Sequence, residues 1–259
     1  MCEDCGCGDV EIVPVEVHDK ILAKNEHQAQ HNRAHFAAAG VLAVNLMGSP
    51  GSGKTALLEA TARAAGGRLR LGAVSGDLAT DRDAQRLRHA GIPSEAITTG
   101  NACHLDADMV HEALHHVPWR ETDVFFIENV GNLVCPAIYD LGQAFNVVAL
   151  SVTEGEDKPL KYPTMFRRAD LVVLTKVDLL PHLGEFSVAA LEDALGRVMP
   201  TPRLLRVSAR TDEGIDGWLR WLEIGRAGIA ARPAVQPRDA SQASEPTEHA
   251  HEHGAPHVR

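Results

Sequence analysis

The sequence predicts an α/β fold, a doubly wound and mostly parallel sheet, and three observations predict it. Short apolar runs such as Val124-Phe125-Phe126-Ile127 are continuous rather than alternating, the pattern of strands covered on both faces. Helical patterns fall between those runs, and such alternation builds a sheet of parallel strands joined by crossover helices. The first run passes through a glycine-rich turn directly into a helix-forming stretch, an arrangement that puts ligands at the carboxyl ends of strands.

The elements follow in order. Residues 1–9, MCEDCGCGD, are a polar, cysteine-rich leader, and residues 10–40 make an N-terminal helical extension. Within it, 15–39 reads as a helix with sparse apolar positions at Ile21, Leu22, Ala29 and Phe36. A nucleotide-binding domain spans 41–226. Its strands are expected at 41–46, 70–74, 124–128, 146–152, 171–175 and 204–207, and its helices at 56–65, 80–90, 105–116, 187–198 and 215–224. Residues 227–259 turn to Pro, Ala, Ser, Gln, Glu and His with almost no large apolar side chains, so a disordered tail is expected.

Composition removes several function classes. With 259 residues the chain can bury one substantial core, and its formal net charge of −10 speaks against a nucleic-acid or anionic-membrane surface. No apolar run approaches the ~18 residues of a membrane span and no secretory signal opens the chain, so a cytoplasmic protein is expected. The five cysteines, Cys2, Cys5, Cys7, Cys103 and Cys135, are odd in number and crowded, which in a reducing compartment favours metal ligation over disulfides.

Residues 48–55 read Gly48-Ser49-Pro50-Gly51-Ser52-Gly53-Lys54-Thr55, a complete G-x-x-x-x-G-K-S/T phosphate loop. Backbone N–H groups of Gly48, Gly51, Ser52 and Gly53 can close around phosphate oxygens, Lys54 reaches the β- and γ-phosphates, and Thr55 is a Mg²⁺ ligand. The helix that starts at Ala56 adds its positive dipole end. The fold is therefore expected to be that of a P-loop NTPase.

Two further motifs choose the base. After the strand 171–175 comes Thr175-Lys176-Val177-Asp178, where the Asp178 carboxylate can accept from guanine N1–H and the exocyclic amino group, and Lys176 can lay its stem over the ring. Adenine offers no N1–H, so it would leave a buried charge unpaired. Ser208-Ala209 follows the last strand, where a backbone N–H can meet guanine O6. The pair points to GTP rather than ATP. Thr175 stands where Asn is more usual, a change expected to lose a loop-tethering amide. Asp77 and Glu128, each at a strand end, are the candidate carboxylates for Mg²⁺.

The cysteines supply a second chemistry. Cys103-His104 and Cys135 lie on loops that leave the same sheet edge and can converge on Zn²⁺ or Ni²⁺; two buried thiols and an unrelated histidine are the plainer alternative. Cys2-x-x-Cys5-x-Cys7 can wrap a soft metal around Gly6. His27, His31 and His35 share one helix face, read as a solvated polar surface, and His249, His251, His253 and His257 fall in the tail.

Taken together, the stretches MCEDCGCG, NLMGSPGSGKT, GDLATDRDAQRLR, TGNACHLDADMV, FFIENVGNLVCPA, LSVTEGEDKPLKYP, LTKVDLLP and VSARTDEGIDGWLRWLE resemble the HypB family over about residues 1–224. These are nickel-insertion GTPases of NiFe-hydrogenase maturation, of the SIMIBI class. The resemblance implies a homodimer formed around nucleotide, a nickel site at Cys2, Cys5 and Cys7, and a nickel or zinc site at Cys103, His104 and Cys135. It also implies a small zinc-containing HypA-like partner and a hydrogenase large subunit as recipient. A urease-type nickel GTPase, a passive nickel store and a partitioning-type ATPase are the alternatives; the first would carry Cys-Pro-His, and the last an extra Lys at the position of Ser49.

Overall fold

Leu42–Met47 (β1) is buried at every position and forms the middle of the sheet, as an apolar run with no polar face must. The computed structural model describes residues 15–100 and 102–231. The further strands are Leu71–Asp77 (β2), Ser94–Thr98 (β3), Val124–Glu128 (β4), Phe145–Ser151 (β5), Leu171–Thr175 (β6) and Leu204–Arg206 (β7). They form one sheet in the order β3-β2-β4-β1-β5-β6-β7, and every pairing is parallel. The expected doubly wound fold is the one observed.

The helices are Val15–Ala38 (α1), Lys54–Ala65 (α2), Arg82–His89 (α3), Ala107–Ala113 (α4), Lys158–Lys161 (α5), Pro163–Arg167 (α6), Val188–Val198 (α7) and Ile215–Ala230 (α8). On one face, Leu42, Val44, Phe126 and Val147 pack with Leu57 and Leu58 of α2, Leu87 of α3 and Trp218 of α8. On the other, Phe125 and Ile127 meet Phe36 of α1 and Val110 of α4, while Val172 and Leu174 meet Phe166 of α6 and Leu191 of α7. Strand order reverses around β1, so the loop leaving β1 opens into the crevice between β4 and β5 where α/β sheets bind ligands.

Several elements differ from the sequence reading, which placed no helix at α5 or α6, started α2 at 56 rather than Lys54 and ran α4 over 105–116 rather than Ala107–Ala113. β3 was not expected: Ser94-Glu95-Ala96-Ile97-Thr98 is an edge strand with one large apolar side chain, so it lacks the buried run that marks the others. The final helix runs to Ala230 rather than 224. α1 lies as expected, but it docks through a mixed stripe, Asn25, Ala29, Asn32 and Phe36, all buried, whereas Ile21 stays exposed. Asn25 donates to the Asp140 carbonyl at 2.8 Å and accepts from the Ala107 N–H at 2.9 Å, so polar groups hold this helix where an apolar count saw little to bury.

Candidate nucleotide and metal site

The chain leaves β1 through Gly48, whose φ of 150° and neighbours exclude a side chain: a Cβ there would lie 2.4 Å from the Ala149 carbonyl oxygen and 2.7 Å from Ser52 Oγ. The loop can therefore curl against β5. Ser52 Oγ is buried with no hydrogen-bond partner among the described residues, an orphan polar atom inside the loop. Lys54 is buried, its Nζ 3.3 Å from the Gly48 carbonyl and 3.2 Å from that of Ser49. Burial pulls its pKa below the ordinary lysine value, with the Glu128 carboxylate opposing.

Thr55 opens the α2 helix beside Glu128 at the end of β4. Its hydroxyl donates to Glu128 Oε1 at 2.6 Å, and Ser75 donates to Oε2 at 3.1 Å. Burial pushes the Glu128 carboxyl up, against the hydrogen bond from Thr55 and the charge of Lys54. A buried carboxylate and a hydroxyl are the hard oxygen donors that Mg²⁺ takes, so Thr55 and Glu128 fit that ion. Asp77 stands apart: its Oδ1 accepts from the N–H groups of Ala79 at 2.9 Å and Thr80 at 3.0 Å, which hold its carboxyl below the usual range.

On the far side of the loop, a cavity of about 340 Å³ opens between Gly53, Ala56, Thr175, Lys176, Asp178 and Ala209. Here one expectation is corrected. The Thr175 hydroxyl donates to the Ser52 carbonyl at 2.6 Å, so it supplies the loop tether that a missing amide had been expected to lose. Lys176, in the left-handed region at φ 59°, donates from Nζ to the Gly51 carbonyl at 2.7 Å. Ser208 Oγ donates to Asp178 Oδ1 at 2.7 Å and itself accepts from the Arg210 and Thr211 N–H groups. The Ser208 backbone N–H is committed to the Glu213 carbonyl at 2.9 Å, while Ala209 lines the cavity.

The loops before α4 and after β4 bring Cys103, His104 and Cys135 together, one ligand atom of each within 4.8 Å of the others. Both cysteines are free thiols, with their sulfurs 2.8 Å apart. The hydrogen bond with Cys103 and burial raise the Cys135 pKa, and burial lowers that of His104, whose ring stacks on Tyr139 at 3.9 Å between centroids. A residue missed in the sequence joins this cluster to the phosphate loop. Asn132 donates from its backbone N to the Gly48 carbonyl at 3.1 Å and from Nδ2 to the Cys103 carbonyl at 3.4 Å, and its Oδ1 accepts from the Val134 N–H at 2.8 Å. Asn132 follows Glu128-Asn129-Val130-Gly131, the counterpart of a D-x-x-G phosphate motif, and has no metal or phosphate signature of its own. Cys2, Cys5, Cys7 and the tail histidines lie outside the described residues.

The sequence profile of the CobW/HypB/UreG nucleotide-binding domain matches residues 42–205. A hydrogenase maturation factor HypB from Azotobacter vinelandii is 52% identical over 209 residues, 81% of this chain and 69% of that protein. The chain belongs to the CobW/HypB/UreG family, in its HypB branch. The crystal structure of HypB from Helicobacter pylori in complex with nickel is similar with a TM-score of 0.76 at 38% identity, covering 79% of this chain and 96% of that one. The HypB structure from Archaeoglobus fulgidus gives 0.73 at 40% identity, over 79% and 100%. In this HypB relative, as in its family, the domain around Gly48–Thr55 is a P-loop domain built to bind and hydrolyse nucleotide. Among the described residues no helix is long and apolar enough to cross a membrane.

Proposed function

We propose that this chain is a Mg²⁺-dependent GTPase that binds nickel and delivers it during NiFe-hydrogenase maturation. The observation that carries the coupling is Asn132, hydrogen-bonded to Gly48 of the phosphate loop through its backbone and to the Cys103 loop through its side chain. A loop that rearranges around a γ-phosphate thereby shifts the metal ligands, an ordering switch of the GTPase type.

In this reading Asp178, held by Ser208, takes the guanine N1–H and amino group, and the Ala209 N–H meets O6. Lys54 turns its ammonium from the loop carbonyls to phosphate oxygens, which restores the charge that burial disfavours. Thr55 and Glu128 hold Mg²⁺, with Asp77 at the same sheet edge; the ion neutralises phosphate charge. Catalysis is then positioning and electrostatics, with a slow intrinsic turnover on the order of 10⁻⁴ s⁻¹.

Cys103, His104 and Cys135 offer three donors suited to Ni²⁺ or Zn²⁺ and leave a position open. Exposed Val134 and Ile138 flank Cys135, an apolar rim that fits a second copy of the chain bringing the remaining ligand. Cys2, Cys5 and Cys7 hold nickel in the leader, a HypA-like zinc protein and the hydrogenase large subunit are the partners, and the work is done in the cytoplasm. Sedimentation of the full chain with a non-hydrolysable GTP analogue, with and without nickel, tests the assembly step. A dimer is expected with the analogue and a monomer with GDP; a monomer throughout overturns it. Lys54→Ala is expected to abolish GTP binding, and ATP competing as well as GTP contradicts the base reading.

A further inference from the structure

Histidines 31 and 35 of α1 are not simply solvated. They lie against His111 in the last turn of α4, with ring centroids 4.1 Å apart for His31–His35, 5.0 Å for His31–His111 and 5.9 Å for His35–His111. One nitrogen from each ring lies within 4.8 Å of the other two. His35 and His111 are half-buried and His31 is exposed, so the cluster has a closed floor and an open side.

The floor fixes a tautomer. Asn32 is fully buried, and its amide nitrogen donates to the carbonyls of Ala107 at 2.9 Å and Leu141 at 3.2 Å. Its orientation is thereby set, and its oxygen faces His111 Nδ1 at 3.1 Å while also accepting from Gln28 at 3.2 Å. An acceptor that cannot turn requires Nδ1–H on His111, so the neutral ring carries its free lone pair on Nε2. Metal-binding histidines are oriented by an outer acceptor in this way. His31, in a long 3.4 Å contact with Gln28, is the adjustable member.

The surroundings favour the neutral form of His35 and His111. Burial, then His31, His111, Arg120 and His115, lowers the His35 pKa. Burial, then His31 and His115, lowers that of His111, with Glu112 and Asp108 opposing. Neutral imidazoles are metal ligands.

We propose that His31, His35 and His111 form a metal site distinct from the cysteine loop, a three-imidazole site for a borderline divalent ion, zinc or nickel. Three imidazoles suit both ions and leave a position for water. An ion there ties α1 to α4, the helix that begins just past Cys103-His104, so its occupancy steadies the segment that enters the cysteine loop.

The site is tested on the full chain with Zn²⁺ and Co²⁺ as probes, by equilibrium dialysis, absorption and thermal unfolding. His35→Gln/His111→Gln is expected to bind one ion fewer per chain. It should lose the Co²⁺ d–d absorption of a nitrogen-ligated site while the sulfur-to-cobalt charge-transfer bands of the cysteines persist. Residues 31, 35 and 111 meet only in the folded chain, so their ion should raise the unfolding temperature, and that rise should vanish in the variant. His31→Gln, at an exposed position, keeps the test valid if the double variant does not fold: its affinity is expected to fall at least tenfold, no less than removal of an outer-shell partner costs. Unchanged stoichiometry and spectra in folded His31→Gln and double variants overturn the proposal. Nucleotide binding is not read here, so failure of this site and failure of the GTPase reading are separable.

Discussion

Replacing Asp178 by Asn changes one oxygen into an amide group and should reverse the base preference without disturbing the fold. The reason lies in what holds the carboxylate. Ser208 Oγ donates to Asp178 Oδ1 at 2.7 Å, a bond that an amide oxygen accepts as well. Asp178 lines the cavity with Gly53, Ala56, Lys176 and Ala209, and in the proposed GTP site guanine would place two donors against it. Hydrogen bonds to a charged group contribute about 1.5–3 kcal/mol each; the amide turns one of the two into a donor–donor contact and takes the charge from the other, together costing about 3–6 kcal/mol. At about 1.4 kcal/mol per decade, GDP affinity should fall by roughly two to four orders of magnitude. Xanthine carries a carbonyl where guanine has its amino group, and the introduced amide donates to it, so XDP should gain what GDP loses. Titration calorimetry of GDP and XDP against both proteins measures this. A folded Asp178→Asn variant that binds GDP within about tenfold of the parent would show that Asp178 does not read the base.

Thr175→Val keeps the shape of β6 but strands the buried Ser52 carbonyl, a cost of about 1–3 kcal/mol that calorimetry should register as a lower unfolding temperature and weaker GDP binding; equal stability would remove the tether. Asn132→Ala deletes the side-chain link to Cys103 and leaves the backbone bond to Gly48, so metal should still bind at the loop but respond less to nucleotide, as chelator competition would reveal. Asp123 is held below its usual pKa of 3.8 first by the Arg70 side chain, with the Arg70 N–H and Arg226 adding to it. A depressed folded pKa contributes stability that is present above the unfolded value and lost as pH falls through the folded one. Asp123→Asn should therefore be less stable than the parent at pH 7 in urea melts, and the gap should narrow below about pH 4; a constant gap down to pH 3 would contradict this.

The legible parts were those where one local signal suffices. Buried runs located β1, β4 and β6, and the spacing of Gly48 to Thr55 placed the loop between strand and helix because glycine and lysine are required there whatever surrounds them. What escaped was tertiary. β3 has no core-facing run, since an edge strand beside β2 needs only backbone pairing. Asn25 and Asn32 carry no signal on a helix of sparse apolar positions, yet their amides answer carbonyls and an N–H more than 70 positions away, at Ala107, Asp140 and Leu141. The Thr175 hydroxyl replaces an amide by reaching Ser52, which no motif spelling discloses. His111 had no signal either, for its partners lie on α1 and no spacing within α4 announces them. Cys103, His104 and Cys135 were found because their residue types are rare and both loops leave the same sheet edge.

The central claim is that nucleotide state is coupled to metal at Cys103, His104 and Cys135. The most direct test is the rate at which nickel leaves that site, read by chelator competition on the full chain with Cys2, Cys5 and Cys7 replaced by Ser so that leader thiols do not contribute. Nickel release is expected to differ between the GTP-analogue, GDP and nucleotide-free states, with the difference abolished by Lys54→Ala. Identical release in all three states, with nickel shown to be bound and GDP shown to bind, would contradict the account.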